Sequence, residues 1–298
     1  YATQAKVIHF DIDPSEINKN VAVDVAVIAD LKEALSALLP LLKPGEYPEW
    51  WQQHAAYHQQ EKQQVIDVDM AQKSEQGMMS MAYVIEALNQ EFNKKDKPAI
   101  EQHSKNTIWV TDVGQHQMAT CRYADFNQKR SWVTSGGLGT MGFCLPAALG
   151  AQMAAPDQFV IAVVGDGGFQ MTIQELAVLK QQNLPVKVVV LNNEYLGMVR
   201  QWQELYFEQR YAETAIENPD FCVVAAAYGI ANQSVSSEAQ LTQAIQEMRD
   251  HSGPYVLEVL VRKEGNVFPI ITPGAAVSEM CLGIENQDKQ LTEHENDI

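Results

Sequence analysis

A carboxylate between two glycines, Gly165-Asp166-Gly167, is followed about two dozen residues later by the paired amides Asn192-Asn193. That combination fits a divalent-cation site. Mg²⁺ takes oxygen ligands in octahedral geometry and usually binds through one or two protein oxygens plus substrate phosphates. The Asp166 carboxylate, the Asn193 amide oxygen and a backbone carbonyl just beyond it could fill three positions, leaving the rest to a diphosphate and water. The glycines would let backbone N–H groups and the following helix N-terminus approach phosphate oxygens. Neither Lys nor Arg occurs among these residues, so the metal must neutralise the diphosphate and the two should bind together.

Two other readings of the same residues explain less. Gly137, Gly139 and Gly142 spell G-x-G-x-x-G, and Asp166 follows at about the spacing of a ribose-binding acid, which suggests a nicotinamide dinucleotide site. A dinucleotide fold, however, needs neither the glycines after the acid nor the amide pair. Taken singly, Asp166 could be a helix N-cap and Asn192-Asn193 an ordinary turn. It is the combination that points to a metal.

These residues need a scaffold that brings strand ends together. From Thr107 onward, apolar runs at 108–111, 132–134, 159–164, 186–191 and 256–261 alternate with helical segments near 141–153, 172–181 and 237–250. Such alternation predicts βαβ units, hence an α/β fold with a doubly wound parallel sheet and helices on both faces. Ligands in that architecture bind beyond the carboxyl ends of the strands. Four runs end in small or polar residues: Asp112 to Gln117, Ser135 to Met141, Gly165 to Gly168 and Asn192 to Met198.

Upstream, the strand 6–13 and the amphipathic helix 29–42 are too little for a domain and read as the tail of a second α/β domain. Residues 46–76, rich in Gln, His and Trp, show little periodicity and read as a linker. Tyr83 to Phe92 reads as a surface helix, and Met78, Met79 and Met81 before it as core packing. The expected organisation is 1–43 as the remnant of a central domain, 44–80 as linker, 81–266 as the diphosphate-binding domain and 267–298 as an arm with a frayed, acidic end. The chain opens without an initiator Met or targeting segment and reads as part of a longer polypeptide.

Hydrophobic residues make up 46% of the 298 and charged residues 20%, as in soluble globular proteins. The net charge of −17 argues against nucleic acid or an anionic membrane as partner. The longest uncharged stretch, 131–156, is broken by glycines and Pro146 and reads as a loop plus a buried helix, not a membrane span. Four scattered cysteines form no C-x-x-C pair and read as reduced thiols of a cytoplasmic protein.

Asp166 with its glycines and the Asn pair match the signature of the thiamine diphosphate enzymes. Gly114-Gln115-His116-Gln117-Met118, Ser135 to Gly142 and Gly197-Met198-Val199-Arg200-Gln201-Trp202 narrow the match, and from Tyr1 to about Ile284 the chain resembles the C-terminal half of the acetohydroxyacid (acetolactate) synthase catalytic subunit. The resemblance implies that His116 and Gln117 contact the diphosphate, and that Asp166, Asn193 and the main-chain oxygen of Tyr195 bind Mg²⁺. It implies that the Gly139 carbonyl accepts from the cofactor's amino group, that Met141 supports the bent cofactor beside Thr140, and that Gly167, Gly168, Leu196, Gly197 and Met198 complete the cradle. Met141, Met198 and Trp202 would shape the pocket for the second 2-keto acid. Asp11 and Ile12 would be a remnant of an FAD site. One departure is Gly168, where many family members have Ser.

The implied reaction condenses pyruvate with a second 2-keto acid, pyruvate or 2-ketobutyrate, with loss of CO₂. This is the first common step of branched-chain amino acid biosynthesis. Trp202, Tyr206 and Phe207 would form an aromatic cap that excludes water. The resemblance further implies a homodimer with the active site between subunits, a small regulatory subunit as partner, and a general-acid Glu in an N-terminal domain outside this sequence. The chain by itself is then expected to have negligible synthase activity. Alternatives are another thiamine diphosphate enzyme, such as a pyruvate oxidase, glyoxylate carboligase or FAD-independent catabolic acetolactate synthase, and a silent Mg²⁺-diphosphate binding module.

Overall fold

A computed structural model describes residues 5–71, 77–92, 106–126 and 128–283. The acidic end expected to fray, 287–298, lies outside the described residues. The chain divides into two compact units, residues 1–62 with 270–298 and residues 63–269.

In the first unit, β1 (Ile8–Asp11) pairs in parallel with β2 (Val25–Ile28). β2 was not expected, because a four-residue apolar run next to a helix merges with it in the pattern. Asp30 caps α1 (Leu31–Leu38), its carboxylate accepting from the backbone N–H of Lys32 and Glu33. The supposed linker contains the 14-residue helix α2 (Pro48–Glu61). Proline at the first helical position and a run of Gln, Glu and Ala favour it locally. Its Trp50, Trp51 and Tyr57 are all exposed and form no single stripe, so the periodicity test had nothing to detect.

In the second unit, a short helix α3 (Asp67–Ala71) and α4 (Met81–Phe92) precede six parallel strands. In chain order these are β3 (Thr107–Thr111), β4 (Trp132–Thr134), β5 (Phe159–Gly165), β6 (Lys187–Asn192), β7 (Ala231–Val235) and β8 (Tyr255–Leu260). They lie in the order β4-β3-β5-β6-β8-β7. The five expected strands appear within a residue of their sequence boundaries. β7 was missed because Asn232, Gln233 and Ser234 give it no apolar run, which an edge strand does not need.

Helices cover both faces. Alternate residues of β5 separate the two cores: Ile161 and Val163 pack with α4, α5 (Gln115–Tyr123) and α11 (Glu238–Asp250). Val160, Ala162 and Val164 pack with α6 (Cys144–Ala154), α7 (Asp166–Met171), α8 (Leu176–Gln181) and α10 (Phe221–Ala227). The sheet is therefore buried on both sides, as its uninterrupted Val and Ile runs require. Two helical expectations are corrected. The one placed at 141 begins at Cys144, because Gly139 and Gly142 adopt positive φ (64° and 81°) and keep the chain in a turn. The one at 172–181 divides, with α7 starting directly at Asp166 and a 3₁₀ turn, Ile173–Glu175, before α8.

α4 is not a surface helix. Val84, Ile85 and Leu88 are fully buried in the core, and Met79 joins them there. Among the described residues no helix is long and apolar enough to cross a membrane.

Replacing Leu88 with Ala should cost about 2–5 kcal/mol of stability, read from denaturant midpoints, because it empties a fully buried site. Leu138→Ala, at a residue 94% exposed, should leave the midpoint unchanged.

Candidate cofactor and metal site

The chain leaves β3 for β4 on one side and returns to β5 on the other, so the ends of β3 and β5 diverge around a crevice. A cavity of about 180 Å³ opens there, lined from β3 by Val113 to His116, from β5 by Gly165 to Gly168, and from β6 by Asn193 and Tyr195 to Val199. Leu191, Met141 and Met81 complete the wall. Of the site residues read from the sequence, the cavity gathers His116, Met141, Asp166, Gly167, Gly168, Asn193, Tyr195, Leu196, Gly197 and Met198. Met81, read as core packing, both packs against the core and faces this cavity.

The remaining candidates lie outside its lining. The Gln117 side chain donates to Thr134 Oγ1 (2.8 Å). Gly139 and Thr140 sit in the exposed turn after β4, where the Thr140 N–H donates to Ser135 Oγ (2.8 Å). Trp202 is 44% exposed on α9 (Gly197–Tyr206) and packs against Tyr206 with ring centroids 4.9 Å apart. It stands one helical turn beyond Met198, so the two share a face of α9. Asp11 and Ile12 belong to the first unit, at the end of β1. There the Asp11 carboxylate accepts from the Asp13 N–H (2.9 Å) and Ile12 is exposed.

Asp166 is the first residue of α7, not its cap, and is 2% exposed. Its Oδ1 accepts from the Gly167 N–H (3.1 Å) and its Oδ2 from Asn218 Nδ2 (2.8 Å). Burial pushes its carboxyl above the usual carboxylate range, and the hydrogen bonds from Asn218 and the backbone offset only part of that. Across the crevice, Asn193 Oδ1 accepts from the Tyr195 N–H (3.3 Å), which folds the chain sharply after β6. Glu194 takes a positive φ of 57° in that turn, and its carboxylate pairs with Lys263.

The glycines of the cradle are there for space. A Cβ on Gly167 would come within 2.9 Å of Leu196, and one on Gly165 within 2.9 Å of the His116 ring. One on Gly168 would run into the Asp112 carboxylate, so in this packing the residue that departs from the common Ser has no room for a side chain.

Sequence reasoning named the residues that hold this cradle only as members of strand ends and motifs and gave them no role. Asp112, fully buried at the end of β3, accepts from Gly142 N–H (2.8 Å) through Oδ2, and its Oδ1 lies 2.5 Å from His116 Nε2. One carboxylate thus ties the histidine to the turn that carries Met141. Gln115 Nε2 donates to Gln201 Oε1 (2.9 Å) and to the Gly265 carbonyl (2.7 Å). Gln201 in turn holds both backbone groups of Val267 (2.9 and 3.1 Å), which fixes α9 against that loop. For Asp112 the available signal was an acid ending a fully apolar strand; Gln115 and Gln201 fall inside the motifs that narrowed the match, but nothing local says that they pair across many residues.

The donors fit a Mg²⁺-diphosphate pair. A carboxylate, an amide oxygen and a main-chain carbonyl are hard oxygen ligands suited to Mg²⁺. No Lys or Arg is among the residues lining the cavity, so a diphosphate there needs a cation. A metal beside Asp166 would also relieve the cost of its burial. Among the described residues no cluster of three His, Cys, Asp or Glu could hold a metal, so any divalent site here must draw on the amide and the backbone.

A diphosphate crevice at the switch point of a parallel sheet defines a class that comparison with known proteins makes specific. The model of the thiamine pyrophosphate enzyme C-terminal TPP binding domain matches residues 112–259, and that of the thiamine pyrophosphate enzyme central domain matches residues 1–38. The chain belongs to the thiamine pyrophosphate enzymes. It is 42% identical over 281 residues to the acetolactate synthase isozyme 2 large subunit of Escherichia coli (strain K12), covering 94% of this chain and 47% of that protein. To acetolactate synthase 1, chloroplastic, of Oryza sativa subsp. japonica it is 37% identical over 290 residues (95% and 43%). To the acetolactate synthase large subunit of Cyanidium caldarium it is 36% identical over 298 residues (98% and 48%). The chain spans about half the length of these relatives. A solved structure, the thiamine diphosphate-dependent 4-hydroxybenzoylformate decarboxylase of Rhodococcus jostii RHA1, shares the fold with a TM-score of 0.67 at 23% identity, over 88% of this chain and 45% of that one.

Asp112→Ala should destabilise the protein by about 1–3 kcal/mol for each buried donor left without its acceptor, the Gly142 N–H foremost. Chemical denaturation of the ligand-free protein measures this.

Proposed function

We propose that this chain is the cofactor-anchoring part of an acetolactate synthase large subunit, which joins pyruvate to a second 2-keto acid with loss of CO₂. The observation that carries the reading is the all-oxygen donor set of Asp166, Asn193 and Tyr195 around a cavity without a cationic side chain. The substrates come from the likeness to acetolactate synthase large subunits over nearly the whole chain.

In this reading Asp166, Asn193 and the Tyr195 carbonyl hold Mg²⁺, and His116, Gln117 and the backbone N–H of Gly168 receive the diphosphate, with Gly167 leaving it room. Thiamine diphosphate, when bound, supplies the electron sink for the carbon freed by decarboxylation. Gly139, Thr140 and Met141 orient the cofactor's other end. Leu196, Gly197 and Met198 bring the start of α9 over the cavity, so that apolar groups exclude water from the reacting carbon. Trp202, on the Met198 face of α9, borders the place of the second 2-keto acid, with Tyr206 packed against it.

Asp11 and Ile12, at the end of β1, are the residues of this chain available to FAD. A homodimer with the site between subunits, and a small regulatory subunit, complete the assembly. The cytoplasm is the proposed compartment, consistent with four free thiols. A pyruvate oxidase, glyoxylate carboligase or catabolic synthase would use the same anchor. The curated relatives that carry this reading are acetolactate synthases.

Calorimetric titration with thiamine diphosphate, with and without Mg²⁺, tests the anchor. Binding should require the metal and weaken by about 100-fold or more in Asp166→Ala, since even the outer partners of metal ligands are worth 10–100-fold. Acetolactate formed from pyruvate by the full-length protein tests the reaction. Metal-independent binding, or no acetolactate, would overturn the respective half of the proposal.

A further inference from the structure

The two amides that end β6 have different surroundings. Asn193 lines the cavity, whereas Asn192 is bound up in a network behind it. Asn192 Nδ2 donates to Glu258 Oε1 on β8 (2.8 Å), and its Oδ1 accepts from the Glu194 N–H (3.0 Å) and from Asn218 Nδ2 (3.0 Å). The same Asn218 nitrogen donates to Asp166 Oδ2 (2.8 Å), while Asn218 Oδ1 accepts from Gln170 Nε2 (2.7 Å).

An amide nitrogen carries two hydrogens, and here both are used, one on the carboxylate and one on Asn192. The orientation of the Asn218 amide follows from its neighbours. The Asp166 and Asn192 oxygens both accept, so the nitrogen must face them, and Gln170 donates to the oxygen on the other side. Asn218 therefore bridges two elements, α7 and the end of β6, with both amide hydrogens used.

That segment is itself pinned. The Leu196 N–H donates to the Thr214 carbonyl (2.8 Å) and the Ile216 N–H to the Glu194 carbonyl (3.0 Å), so residues 214–216 pair antiparallel with residues 194–196 through a bridge between Tyr195 and Ala215. Farther back, Gln203 on α9 holds Ala212 through both backbone groups (2.9 and 3.0 Å). The strap that delivers Asn218 thus also braces Tyr195, whose carbonyl is the proposed third ligand.

We propose that Asn218 is a positioning residue of the divalent-cation site: it acts through Asp166, holding one carboxylate oxygen so that the group is presented in a single orientation. The inference rests on the reading of Asp166 as a metal ligand. Without Asn218, Asp166 Oδ2 loses its side-chain donor and the carboxylate keeps its backbone donors alone. Mg²⁺ should suffer more than Ca²⁺ from such loosening, because the smaller ion demands near-ideal octahedral geometry while Ca²⁺ accepts a flexible one. A purely structural latch would lower stability without changing that preference.

The test titrates Mn²⁺ into the full-length protein with thiamine diphosphate present, following free Mn²⁺ by electron paramagnetic resonance, with Mg²⁺ and Ca²⁺ each measured by competition against it. Asn218→Ala should bind Mg²⁺ about 10-fold more weakly, with a smaller loss for Ca²⁺. Gln170→Ala, a change at an exposed residue that frees the Asn218 oxygen and a longer contact to the Glu217 carbonyl (3.5 Å), should weaken Mg²⁺ binding in the same direction by less, and it decides the matter if Asn218→Ala does not fold. Unchanged Mg²⁺ affinity, or equal losses for Mg²⁺ and Ca²⁺, would overturn the positioning role. Wild-type protein that binds no Mn²⁺ would overturn the metal reading beneath it as well.

Discussion

Two carboxylates almost entirely out of water, Asp112 and Asp166, end neighbouring strands of the sheet, and much of the site's arrangement is organised around them. A buried charge is costly unless hydrogen-bonded or paired. Asp112 meets that requirement with the Gly142 N–H and the His116 ring. Asp166 has neutral donors alone, from Asn218 and the backbone, and burial still pushes its carboxyl upward. The site is thus built with spare negative character facing a cavity whose lining has no cationic side chain, the electrostatic condition for recruiting a metal together with an anionic ligand.

The parallel sheet makes this arrangement affordable. Its strands are buried on both faces, so their ends are the places where the chain can turn polar without breaking a core. Hydrogen bonds between side chains then stitch distant loops to those ends. Gln115 and Gln201 join α5, α9 and the 265–267 loop, and Asn192 and Asn218 join β6, β8, α7 and the strap at 212–218. Amides suit both junctions, since each can donate and accept at once without adding charge.

The sequence by itself determined the class of fold and pointed to residues that the structure gathers around one cavity. Five strands could be read within a residue, because fully buried parallel strands are continuous apolar runs, and Asp166 with Asn193 stood out because flanking glycines and a paired amide are unusual at strand ends. What it could not determine were elements whose residues carry no periodic signal. β7 is polar, α2 is polar nearly all round, and α4 looked superficial although Leu88 is fully buried. Only the tertiary structure decided the support of the site: that Asp112 joins His116 to the Met141 turn, that Asn192 faces a network and not the cavity, and that Asn218 reaches Asp166. Those contacts span up to many tens of residues along the chain, and local spacing carries no information about which side chains folding will bring within hydrogen-bonding distance.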